Sequence, residues 1–168
     1  MGRSLNRVND EGIFFVTEHY RSKRNKDKSR CLSLTPILQD PDLCHYHGAC
    51  GYEYWNITLA NPEWFPLREH TDGPCPFKGG LNQLWRNQLL AAAIEKSSDW
   101  PYQKVFFSVC HHPKNHALQK SIDAFSELLG DKSRFFSFTS EPLINKARAS
   151  KEPTLCKWAD WYSNLYFV

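Results

Sequence analysis

Long apolar runs are missing from this chain of 168 residues. No stretch approaches the ~18 residues a membrane span requires. The first residues, Met1-Gly2-Arg3-Ser4-Leu5-Asn6-Arg7, carry charge with no hydrophobic segment behind it, so no secretory signal is read there and a cytoplasmic location is expected. There is no nucleophile elbow, no phosphate-cradling glycine loop and no dinucleotide fingerprint, which removes the hydrolase, nucleotide-triphosphatase and Rossmann readings. What is present is 41% hydrophobic and 23% charged residues, with ten prolines and eight glycines. Those proportions fit one soluble globular domain and exclude wholesale disorder, collagen-like repeats and a multidomain machine.

The formal net charge is +3, but the cations are unevenly spread. Arg21, Lys23, Arg24, Lys26, Lys28 and Arg30 face a single acid, Asp27, so this segment alone carries +5 and the rest of the chain is mildly acidic. One reading is a phosphate-contacting arm, since each cation that displaces counterions adds nucleic-acid affinity whatever the base sequence. The other is a solvated loop, because like charges repel and resist packing.

Six cysteines are present, and none forms a C-x2-C knuckle. The densest group is Cys44-His45-Tyr46-His47-Gly48-Ala49-Cys50, followed by Cys75 and then by Cys110-His111-His112 and His116. Thiolate and imidazole suit zinc, so Cys44, His47, Cys50 and Cys75 form one candidate ligand set. Buried thiols and ordinary surface histidines are the alternative.

The chain divides into unlike halves within a single domain spanning 1–168. Residues 1–79 are irregular. Ile13-Phe14-Phe15-Val16-Thr17 has the look of a buried strand. Beyond the basic segment, Pro36, Pro41, Pro62, Pro66, Pro74 and Pro76 exclude long helices by removing donors and restricting their neighbours. Tyr52, Tyr54, Trp55, Trp64 and Phe65 are expected to pin these loops to the body.

From Gly80 the periodicity is clear. Leu81, Leu84, Trp85, Leu89, Ala92 and Ala93 draw one apolar stripe on a helix to about Lys96. Val105–Val109 and Phe135–Phe138 read as strands. Between them Leu118, Ile122, Phe125, Leu128 and Leu129 mark a helix stopped by Gly130. Such a βαβ unit is expected to be parallel with a right-handed crossover. Ser140 is expected to cap a helix from Glu141 to about Ala149. A last helix carries Leu155, Trp158, Tyr162 and Leu165 on one face.

The block from Cys75 to Ala91, with Gly79-Gly80-Leu81-Asn82-Gln83-Leu84-Trp85-Arg86-Asn87 at its centre, resembles the helix of bacterial restriction-endonuclease-like proteins in the PD-(D/E)XK superfamily. Asn61-Pro62-Glu63-Trp64 before it, and the strand and tryptophan-bearing helix after it, are similar in order and spacing. The resemblance covers about residues 50 to 168. It implies an α/β fold, a mixed sheet with flanking helices around a restriction-endonuclease-like core, incomplete at the N-terminus.

By function, the resemblance implies a phosphodiesterase in which an acid on one strand and an acid-x-lysine on the next bind Mg2+, which activates water and stabilises the phosphorane. The stretch that matches the second motif is Ile13-Phe14-Phe15-Val16-Thr17-Glu18. It keeps the Thr-Glu tail but has Ile13 and Phe15 where the glutamate and lysine belong, and only a dozen residues precede it.

Three readings follow. One is a shortened, degenerate nuclease-like protein that binds nucleic acid or a protein with weak or no catalysis. A second is an active Mg2+-dependent DNA endonuclease that recruits Glu18, Glu53 or Asp10, with Gln83 and Arg86 facing the phosphate. The third is a zinc-stabilised interaction module. For Glu18 a surface ion pair, and for Gln83 and Arg86 the satisfaction of groups at a helix start, are the structural alternatives.

Overall fold

A computed structural model describes residues 29–67 and 73–166. The expected strand at Ile13–Thr17 lies outside the described residues. In the first half the prolines act as expected: helices are short, with α1 at Thr35–Gln39 and α2 at Tyr54–Leu59, joined by single turns at Pro41–Leu43 and His45–Ala49. Pro36 sits in the first turn of α1, where a missing donor costs nothing. The Asp40 carboxylate accepts from the Asp42 N–H at 3.1 Å and starts the next turn. A Cβ on Gly48 would collide with the carbonyl oxygen of Asp42, so the chain closes on itself there only through glycine.

The longest helix, α3 (Leu81–Lys96), follows a turn in which Gly79 takes a φ of 84°. It buries Leu84, Trp85, Leu89 and Ala92, the stripe read from the sequence. Strand β1 spans Phe107–His111, two residues later than the apolar run suggests. The Val105 N–H donates at 2.9 Å to the Glu95 carboxylate, ten residues earlier, and is diverted from any strand ladder. The same carboxylate holds Arg134, whose guanidinium lies 5.2 Å above the Trp64 ring centroid.

Helix α4 (His116–Glu127) is capped by Asn115, whose side chain accepts from the Leu118 N–H at 3.0 Å. It ends before Gly130, and Gly130 is not its left-handed stop. A Cβ on Gly130 would come within 2.5 Å of the Glu63 carbonyl oxygen, and its N–H donates to Trp64 at 3.0 Å. The glycine therefore serves the close approach of two segments. Strand β2 (Phe135–Thr139) pairs parallel with β1, with Phe107 opposite Phe135 and His111 opposite Thr139. The architecture is α/β, a small parallel sheet flanked by helices. Among the described residues the sheet has these two strands, so the antiparallel member of a mixed sheet is not among them.

Helices α5 (Ser140–Arg148) and α6 (Pro153–Tyr166) form a closing hairpin. One expectation is corrected here. Ser140 is the first helical residue rather than the cap; Thr139 holds the cap position, and its hydroxyl lies 3.4 Å from the Glu141 carboxylate. The stripe of α6 does not enter the main core. Ala159 and Ser163 are buried, while Leu155, Trp158 and Leu165 are exposed. Small residues at the α5–α6 contact let the helices approach closely and leave the bulky side chains outside.

The main core is built from both halves. Leu34, Ile37, Trp55, Phe65 and Phe77 of the first half meet Leu84, Trp85, Leu89, Ile122 and Phe125 of the second. Its centre is aromatic: Phe77 stacks on Trp85 at 4.3 Å with rings 1° from parallel, and Trp55 lies 5.2 Å from Trp85. Buried inside it, the Trp85 Nε1–H donates to Thr58 Oγ1 at 3.0 Å, and the Thr58 hydroxyl donates to the Tyr54 carbonyl at 2.7 Å. Among the described residues no helix is long and apolar enough to cross a membrane.

Candidate functional site

The 3.6-residue repeat that buries Leu84 and Trp85 turns Gln83 and Arg86 away from the core centre. Gln83 is exposed, and its amide donates to Asn87 Oδ1 at 3.0 Å. Arg86 is half-buried, with its guanidinium carbon 5.5 Å from the Tyr54 ring centroid. Helix α3 thus carries a polar ledge. Glu18 and Asp10, its proposed catalytic companions, lie outside the described residues, as do Arg21, Lys23, Arg24, Lys26 and Lys28. Arg30 is described; it stands exposed on the turn at Ser29–Leu32.

The cysteines separate into two groups. Cys44 and Cys75 line one cavity of about 330 Å³, and Cys31 joins them there. The Cys75 N–H donates to the Cys31 carbonyl at 3.0 Å, which holds the two segments side by side. Burial pushes the Cys75 thiol up to about 12, against a lowering contact from the Phe77 backbone. At neutral pH it is a protonated, unreactive thiol. His47 and Cys50 face elsewhere: the imidazole lies 3.7 Å from the Asp42 carboxylate, and the Cys50 sulfur 3.5 Å from His45 Nε2. The set Cys44, His47, Cys50 and Cys75 is therefore not brought together. Among the described residues no three His, Cys, Asp or Glu side chains are placed to hold a metal ion.

Magnesium needs converging oxygens, and the described carboxylates do not supply them. Glu53 accepts from the Asn56 amide, Glu63 pairs with Lys96 at 3.6 Å, and Glu95 is spent on Arg134 and Val105. Asp131 accepts from the Ser133 N–H at 2.9 Å, and Ser133, through its side chain first, holds that carboxyl below its ordinary value. Each of these four acids serves a local structural contact.

At the carboxyl end of β1 the two histidines are structural. His111 is buried, and its Nδ1 lies 3.1 Å from the His112 carbonyl. His112 Nδ1 accepts from the Lys114 N–H at 3.0 Å, so Nε2 carries the proton and donates to the Tyr166 carbonyl at 2.8 Å. This bond ties the end of α6 to the end of the sheet.

Two features escape the linear sequence. Cys31 joins the thiol cavity from a turn whose neighbours give no motif. The outward face of the two strands carries Phe106, Phe136 and Phe138, all exposed. Alternation along each strand was a signal for that face, but the register had to be known before the rings could be placed side by side.

The model of the PD-(D/E)XK nuclease superfamily matches residues 74–166. That span holds α3, both strands, α4, α5 and α6, and it begins after the Asn61–Trp64 segment. No curated protein and no solved structure matches the chain. The superfamily match covers more than half of the 168 residues and includes the whole regular α/β unit, and on that ground the chain belongs to the PD-(D/E)XK nuclease superfamily.

Proposed function

We propose that this protein binds nucleic acid as a nuclease-like scaffold with weak or no phosphodiester cleavage. The observation that carries the reading is the pairing of superfamily membership over residues 74–166 with the composition of the candidate motif strand. There Ile13 and Phe15 stand where an acid and a lysine are expected. Isoleucine offers no oxygen to a hard cation, and phenylalanine cannot stabilise a developing phosphorane charge. Phosphate attraction is assigned to Arg21, Lys23, Arg24, Lys26, Lys28 and Arg30, whose +5 charge is independent of any catalytic pair.

The test is incubation of the full chain with plasmid and with single-stranded DNA in Mg2+ or Mn2+, alongside a binding titration at several salt concentrations. Salt-dependent binding with intact DNA is the expected result. Neutralising Lys23, Arg24 and Lys26 together should weaken binding and reduce its salt slope by about 3. Cleavage that is lost in the Glu18→Ala, Glu53→Ala double variant would replace this reading with that of an active endonuclease using those acids.

A further inference from the structure

A parallel sheet in an α/β protein is ordinarily covered on both faces, because its strands are apolar on both. Here, among the described residues, one face is covered and the other is not. Phe107, Val109, Phe135 and His111 point toward the core. Along Val105–Cys110 half-buried and exposed positions alternate, and the outward residues are Phe106, Ser108 and Cys110. The register sets Ser108 beside Phe136 and Cys110 beside Phe138. The result is a surface of small side chains on β1 flanking large rings on β2, with Phe106 and Phe136 in contact at 5.7 Å between centroids.

Phe106, Phe136 and Phe138 are 54%, 49% and 42% exposed. The loop before β1 also carries exposed rings: Trp100 and Tyr102 stack at 6.2 Å with rings 12° from parallel. Five exposed aromatics on one strand pair and its entry loop are more than scattered surface apolarity requires.

The charge around the rings selects the occupant. No carboxylate stands on the outward face of either strand. Lys104 precedes Phe107 by three residues and Lys132 precedes Phe135 by three, so both lie before the amino end of the sheet; the Lys132 ammonium is held by the Glu127 carboxylate at 2.9 Å, which leaves Lys104 as the cation offered at that end. Lys104 is exposed and close enough to Asp131 to help lower its carboxyl. Flat apolar rings with no acid among them on the strands, bordered at one end by the exposed Lys104, suit a ligand that has aromatic faces and a polyanionic backbone. A duplex hides its base faces in the stack, whereas a single strand can splay its bases onto side-chain rings.

We propose that the outward face of β1 and β2, with Phe106, Phe136 and Phe138 as stacking rings and the Trp100–Tyr102 loop as its extension, binds single-stranded nucleic acid. This rests on the nucleic-acid reading above and adds its location and strandedness. Bases stack on the rings, and Lys104 meets phosphate at one end.

The experiment uses the full chain and a fluorescent oligothymidylate of about 15 nucleotides, a length matched to a short stacking platform, with a duplex of the same length beside it. The Phe136→Ala, Phe138→Ala double variant should bind the single strand at least tenfold more weakly, since each stacked base contributes a substantial share of affinity. Duplex binding should change less than twofold. The Phe136→Tyr, Phe138→Tyr variant, which keeps the rings, should retain single-strand affinity. If the alanine variant melts early, the Trp100→Ala, Tyr102→Ala loop variant supplies the same comparison outside the strands.

Single-strand affinity that both alanine pairs leave unchanged overturns the surface and leaves the nucleic-acid reading standing. A wild-type chain that binds neither oligonucleotide overturns both. A wild-type dimer that the alanine pair converts to monomer assigns the face to a second copy of the chain and overturns the proposal.

Discussion

The segment from Ser29 to Gly80 and the hairpin of α5 and α6 invert what their sequences suggest. Among its described residues the first has no helix longer than six residues, yet it buries Leu34 and Trp55 completely and Phe65 and Phe77 nearly so. The second is regular and strongly patterned, yet Trp161 is 58% exposed, and its only buried apolar cluster is Ile144, Ala147 and Ala159 with Tyr162 against it. Irregular backbone is therefore no sign of weak packing. A loop can bury a large ring if turns such as those at Asp40 and Gly48 satisfy its backbone locally. Helical pattern is equally no guarantee of burial, because a stripe is covered only where another element lies against it.

This contrast can be broken by mutation. The largest effect belongs to the aromatic centre joining the two halves. Trp85→Ala removes the Phe77 stack, the Trp55 contact and the bond to Thr58, and should cost about 3–5 kcal/mol in urea unfolding. A loss below about 1 kcal/mol would mean that the irregular half is held by something other than its rings.

A smaller change of opposite sign is expected at Gln88. This side chain is fully buried in α3, and among the described residues neither its amide nitrogen nor its oxygen finds a partner. Gln88→Leu, close in volume, should stabilise the protein by roughly 1–3 kcal/mol, since a buried unpaired amide forfeits its hydration. Destabilisation instead would reveal a polar partner for Gln88.

Cys75 sharpens the comparison through pH. Its folded value of about 12 lies above the ordinary 9.0, so between those values the unfolded chain loses the proton first. Stability contributed by this thiol is complete below about pH 9 and declines as pH rises toward 12. In alkylation at pH 8, Cys75 should react only after denaturant unfolds the chain, while exposed Cys110 reacts in the native state. Native labelling of Cys75 would show that the thiol cavity opens.

The smallest effect is expected on α6. Trp161→Ser removes a large but exposed ring and should change stability by no more than about 0.5 kcal/mol. A loss comparable to that of Trp85→Ala would show that the α6 stripe is covered in solution, and the contrast between the two regions would fall.

Much of the second half was legible from spacing. The α3 stripe, the α4 stripe and the two Phe-rich runs gave helices and strands within two residues of their observed limits, and the crossover length gave the parallel pairing. The shift of β1 was not legible, because it depends on Glu95 reaching the Val105 N–H across ten residues. Gly130 looked like a helix stop, yet its role is set by Glu63, remote in sequence. The spacing put Gln83 and Arg86 on the α3 helix, where they lie, but the zinc set was not assembled: adjacency in Cys44–Cys50 sent His47 toward Asp42 and Cys50 toward His45, while Cys31 took their place beside Cys44 and Cys75.

By itself the sequence determined the local order of elements, the aromatic wealth of the first half, and the Cys75–Ala91 block that signals the superfamily. These are properties of neighbours within a turn or two, where backbone geometry alone sets which side chains share a face. Only the tertiary structure decided which faces are covered. It put Ala159 inside and Trp161 outside, and it left Phe136 and Phe138 on an open sheet. Burial depends on whether a distant segment arrives to exclude water, and no local repeat encodes that arrival.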